Sequence, residues 1–76
     1  MIDYIPTDLT RKQARLIIRL NEPYGIGCSF AAARANTTHT ECAALVKLGY
    51  MDRSSGVNCY YYRLTEKCQP FLTANN

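Results

Sequence analysis

With 76 residues, 47% of them hydrophobic, the chain has the length of one small domain and is too apolar to be read as disordered. Nine Lys and Arg against six Asp and Glu leave a formal charge of +3 at pH 7, which suits a polyanionic partner without requiring one. No apolar run approaches the roughly 20 residues of a membrane span, and "MIDYIPTDLT" has neither the basic nor the apolar region of a signal peptide. The expectation is a soluble, cytoplasmic protein with no membrane partner.

Residues 1–8, which include Pro6, read as an irregular start. The first helix is expected over "LTRKQARLIIRLNEP", because Thr10 and Gln13 have the spacing of a capping box, in which each side chain satisfies a backbone N–H at the helix start. Ala14, Leu16, Ile17, Ile18 and Leu20 form a broad apolar arc beside a ridge of Arg11, Arg15 and Arg19 at i+4 intervals. Pro23 disfavours a helical Glu22, so the helix should stop near Asn21. "YGIGCS" then reads as a sharp turn or very short strand that inserts Ile26. A short second helix is expected over "SFAAARA", with Asn36 in the left-handed conformation that the following turn needs.

A second capping box, Thr38 with Glu41, opens the third helix within "NTTHTECAALVKLGY". Cys42, Leu45, Val46 and Leu48 supply its apolar side, His39, Thr40, Ala43, Ala44 and Lys47 the other, and Gly49 its C-terminal cap. "YMDRSSGVNCYYYRLT" alternates around a polar centre and predicts a hairpin with its turn near residues 54–58. Period-2 geometry places Tyr60, Tyr62 and Leu64 together, expected inward, and Tyr61 and Arg63 outward. Thr65 is expected to cap one last turn, "EKCQ", which Pro70 cuts short, leaving residues 73–76 as a loose tail.

Cys28, Cys42, Cys59 and Cys68 contain no Cys-x-x-Cys pair and do not look like a zinc site. They read first as small buried hydrophobes, with redox sensing or one disulfide as the other possibilities. The single histidine has no nucleophile motif beside it, and "GIG" is too short for a phosphate loop. Neither an enzyme nor a cofactor is expected.

"LVKLGYMDRSSGVNCYYYRLTEKC" resembles the end of the recognition helix and the wing of MarR- and PadR-type bacterial regulators. Their pattern runs Leu-x-x-x-Gly, two apolar residues, a variable tip and Tyr-x-Leu-Thr-x-x-Gly. The resemblance spans about Thr10 to Cys68, and Ala31, Ala32, Ala35, Cys42 and Leu45 fill its small or apolar positions upstream. Thr37, Cys68 and Pro70 depart from it: Thr37 stands at an apolar position, Cys68 replaces a glycine, and Pro70 interrupts the helix that often leads to a dimerisation element. The resemblance implies an α+β winged helix-turn-helix domain of three helices and a C-terminal two-stranded hairpin wing.

By that resemblance Thr38, His39, Thr40, Ala43, Ala44 and Lys47 face base edges or the sugar-phosphate of double-stranded DNA, while Arg53, Ser54, Ser55 and Asn58 form wing contacts. The same residues have plainer readings: His39 as a solvated side chain, Thr38 as a cap, and Arg11, Arg15 and Arg19 as a hydrated face over apolar stems. Tyr61 and Arg63, side by side on an exposed strand face, suit a base stack or a protein interface. Two functions follow. One is a small bacterial or phage DNA-binding regulator, dimeric if DNA is the ligand; the other is a winged-helix module that grips a host protein, suited by a recognition helix without arginine.

Overall fold

The computed structural model describes residues 4–75, and the expectations for Met1–Asp3 and Asn76 lie outside them. The domain is α+β, with three helices and one three-stranded antiparallel sheet. Tyr4 to Asp8 lie outside helix and strand, and Leu9 enters the core.

Helix α1 (Arg11–Asn21) starts at the Thr10–Gln13 capping box, both of whose reciprocal hydrogen bonds are present. It buries Ala14, Leu16, Ile17 and Leu20. Beyond Asn21, Ile26 touches the sheet through an isolated bridge to Leu64 and packs against the core.

The expected second helix is not formed. Phe30–Ala31 is strand β1, and residues 32–36 make a turn closed by hydrogen bonds from Ala35 N–H to Ala31 O and from Thr37 N–H to Ala32 O. Seven residues of "SFAAARA" are too few to hold a helix without an apolar face to bury, since isolated helices shorter than about 12–15 residues are marginal. Phe30 gains more by lying buried and stacked on Tyr24, ring centroids 4.8 Å apart, while its backbone pairs with the sheet. Asn36 does adopt the left-handed conformation, with φ 56°.

Helix α2 (His39–Leu48) is the one anticipated as the third. It starts at the Thr38–Glu41 capping box and ends in a Schellman arrangement, with Tyr50 N–H bonded to Leu45 O and Gly49 N–H to Val46 O. Gly49 takes φ 91°, a left-handed value that a side chain would strain. The remaining end of the helix is closed from outside: Lys67 Nζ donates to Leu48 O and Thr65 Oγ1 to Gly49 O.

Strands β2 (Met51–Ser55) and β3 (Tyr60–Leu64) pair from Met51↔Leu64 to Ser55↔Tyr60, and β1 adds to the other side of β3, giving the order β1-β3-β2. The hairpin therefore belongs to a three-stranded sheet, not a two-stranded one. Tyr62 and Leu64 point inward as expected, but Tyr60 does not: it is 45% exposed. Alternation decides which face a residue is on, not how far the core extends beneath it. Two residues beyond Tyr62 the hairpin has passed the edge of the core.

The chain closes with α3 (Cys68–Ala74), longer than the expected single turn. Pro70 is its third residue, where the N–H that proline lacks has no intrahelical partner in any helix. Thr65 does not cap it; the N-cap is Lys67. Nor are residues 73–75 a loose tail, because Thr73 and Ala74 belong to α3 and Asn75 bonds Tyr4, Nδ2 donating to Tyr4 O while Tyr4 N–H donates to Oδ1. The core joins Ile17 and Leu20 of α1, Cys42 and Leu45 of α2, Met51, Tyr62 and Leu64 of the sheet, and Cys68 and Phe71 of α3. Apart from the tyrosines Tyr50 and Tyr62 and the cysteines Cys42 and Cys68, no side chain with a polar group is buried among the described residues.

Cys42 and Cys68 are buried as expected, but Cys28 and Cys59 are exposed, and all four thiols are free. Burial raises the Cys42 pKa and pushes that of Cys68 up to about 11, so neither is disposed to form a thiolate.

Candidate functional site

The outward arc of α2 carries the residues that the sequence pattern assigns to it. His39, Thr40 and Lys47 are exposed, and Ala43 and Ala44 are half-buried beside them. Thr38 and Glu41 are occupied with one another: Thr38 Oγ1 accepts from Glu41 N–H at 3.1 Å, and Glu41 Oε1 accepts from the Thr38 hydroxyl at 3.0 Å and from its N–H at 3.2 Å. Those Thr38 bonds hold the Glu41 carboxyl below its ordinary pKa. The only acidic residue in α2 is therefore turned to capping.

A cluster that local pattern does not reveal joins the start of α2 to the hairpin. The Tyr62 hydroxyl is hydrogen-bonded to His39 Nδ1. The Tyr60 ring stacks on the imidazole at 5.5 Å, and the Arg53 guanidinium lies over Tyr60, 4.7 Å from its centroid. Burial raises the Tyr62 pKa, opposed by the charge and hydrogen bonding of Arg53. His39 is thus a fixed side chain in contact with two rings, not a freely solvated one. The available signal is the period-2 spacing of Tyr60 and Tyr62, but nothing in the sequence says which helix residue their face meets.

The other hairpin residues divide between two faces. Arg53 and Ser55 share a face with Tyr60 and Tyr62, whereas Ser54 lies on the opposite face with Tyr61 and Arg63. Arg63 Nε is 3.5 Å from Asp52 Oδ2, an exposed ion pair of the kind that contributes little. Tyr61 stands in the open at 40% exposure. Asn58 is exposed in the loop that links β2 and β3.

The α1 arginines differ in their contacts. Arg11, Arg15 and Arg19 are all exposed, and Arg19 also donates to Ala35 O at 2.8 Å and Asn36 O at 3.2 Å, which ties α1 to the turn before α2. Arg19 therefore helps to position α2. Lys12, which no sequence motif singles out, lines a groove of about 260 Å³ between α1 and α2, with Leu16, Thr40 and Ala44 among its walls.

Among the described residues no three His, Cys, Asp or Glu side chains converge to hold a metal ion. No helix among them is long and apolar enough to cross a membrane. Comparison with known proteins returned no matching family model, curated protein or solved structure.

Proposed function

We propose that the domain is a winged helix-turn-helix DNA-binding regulator of bacterial or phage type, with α2 in the major groove and the β2–β3 hairpin as a wing on the sugar-phosphate backbone. The observation that carries this reading is the His39–Tyr60–Tyr62–Arg53 cluster, which ties the start of α2 to the hairpin so that both offer one surface. Lys47 of α2 and Arg53 of the hairpin are exposed on these two elements, and Lys12 of α1 lines the groove beside Thr40 and Ala44 of α2. The segment before α2 is a single turn instead of the first helix of a helix-turn-helix pair, so the fit to that architecture rests on α1, α2 and the hairpin. A single domain makes few phosphate contacts, and a homodimer is expected on DNA. This function needs neither catalysis nor a cofactor.

A mobility-shift titration with genomic duplex fragments tests the proposal. Affinity should fall steeply with salt, and Lys47→Ala should weaken binding and reduce the salt slope by about one. Failure to bind any duplex more tightly than about 10⁻⁴ M at low salt would sink it, since that is the weak end of non-specific binding.

A second reading, a module that grips a host protein, is favoured by a different surface: Val57, 97% exposed at the hairpin tip, with Tyr61 and Arg63 on the outer face of the sheet. It expects a stoichiometric host protein in a pull-down, lost on Tyr61→Ala and kept on Lys47→Ala.

A further inference from the structure

The cluster at the start of α2 does more than join two elements. The imidazole of His39 has three neighbours in the hairpin: the Tyr60 ring stacked on it at 5.5 Å, the tilted Tyr62 ring at 5.8 Å, and the Tyr62 hydroxyl bonded to Nδ1. A phenol O–H is a far stronger acid than a neutral imidazole N–H, and an imidazole nitrogen a far better base than a phenol oxygen, so within this pair the Tyr62 hydroxyl donates and Nδ1 accepts. An imidazole whose Nδ1 accepts carries its proton on Nε2, across the ring from Tyr62. His39 is exposed and is the first residue of α2, and Nε2 is the ring nitrogen that the Tyr62 hydroxyl does not engage.

We propose that the hairpin locks His39 in the Nε2–H tautomer and that this fixed donor reads the acceptor edge of a guanine in the major groove, an assignment that rests on the DNA-binding reading above. A helix in that groove meets base edges with its N-terminal residues. Guanine shows N7 and O6 there as two adjacent acceptors with no donor between them, whereas adenine sets an amino donor beside its N7, cytosine shows an amino donor, and thymine sets a methyl group beside its one acceptor, O4. A single donor held in one direction is best matched by the guanine edge. His39 thereby takes the reading role for which α2 has no arginine, and Tyr60, Tyr62 and Arg53 act as positioning residues through it.

The tautomer and the contact are tested separately. The chain has one histidine, so the imidazole nitrogens of the ¹⁵N-labelled protein give one spin system. At a pH where the ring is neutral, the Nε2–H pattern is expected, moving toward a mixture in Tyr62→Phe while the rest of the spectrum stays folded. A dominant Nδ1–H form in the wild-type protein overturns the lock. For the contact, a duplex is selected from a random library with the wild-type protein, and each guanine is replaced in turn by 7-deazaguanine. At one position the replacement should lower affinity roughly two- to tenfold, the range of one hydrogen bond, and the loss should vanish in His39→Ala. An equal loss in both proteins, or no sensitive guanine, overturns the assignment while leaving DNA binding intact. A wild-type protein that binds no duplex overturns the DNA reading itself, and with it the contact.

Discussion

Thr38→Ala is the sharpest test of how α2 is held. The substitution removes the Oγ1 that accepts from Glu41 N–H and the hydroxyl that donates to Glu41 Oε1, leaving Thr37 and the residue-38 N–H as the carboxylate's partners. Loss of a threonine N-cap costs about 1 kcal/mol, and in a domain of this size each kcal/mol moves the Tm by roughly 4–8 °C. A drop of that order is expected in thermal unfolding followed by circular dichroism at pH 7. The effect should also depend on pH, and its sign is determined. The Thr38 hydroxyl is the main cause of the lowered Glu41 pKa, so the folded value lies below the ordinary 4.5. A depressed folded pKa contributes stability that is present above the unfolded pKa and is lost as pH falls through the folded one. The gap between wild type and Thr38→Ala should therefore narrow below pH 4.5, to what the neutral cap bond alone contributes. Equal melting at pH 7, or a gap that widens in acid, would refute the argument.

Three further outcomes follow from the packing. In native protein a thiol reagent should label Cys28 and Cys59 quickly, and Cys42 and Cys68 only on unfolding; a stoichiometry of four without denaturant would contradict the burial. Gly49→Ala should destabilise by about 1–2 kcal/mol through left-handed strain, because the added methyl meets only the Lys67 side chain at ordinary distances, 3.5 Å to Cδ and 3.8 Å to Nζ; denaturant midpoints would measure it. Phe71→Ala should cost about 3–5 kcal/mol as a core truncation. If α3 were only a frayed tail, the same variant would unfold at the wild-type denaturant concentration.

Features encoded in a few neighbouring residues are legible in the chain itself. Both capping boxes, the stop of α1 at Asn21, the left-handed Asn36 and Gly49, and the presence of the hairpin all depend on contacts within about five residues or on strand period, although the turn falls at 56–59 and not 54–58 because Ser54 and Ser55 pair with Tyr61 and Tyr60. The outward arc of α2 is legible for the same reason, since a helix with its apolar side assigned has only one other side. Where local pattern misleads, a distant partner has changed the balance. "SFAAARA" has high helical propensity, yet Phe30 lies in a strand because β3 offers a backbone ladder and Tyr24 a ring to stack on. Pro70 reads as a terminator only if the helix begins earlier than it does.

The same division runs through the candidate site. Periodicity, a property of the local backbone, is enough to say which residues lie on the exposed side of α2 and on each face of the hairpin. It takes the packing of distant elements to engage Arg19 with the carbonyls of Ala35 and Asn36, and to bring Tyr60 out of the core onto His39. Those contacts join residues 16 to 21 positions apart in the chain. They exist because the burial of Ile17, Leu45 and Tyr62 in one core sets how the elements pack, and no local pattern encodes the resulting distance between a helix start and a hairpin.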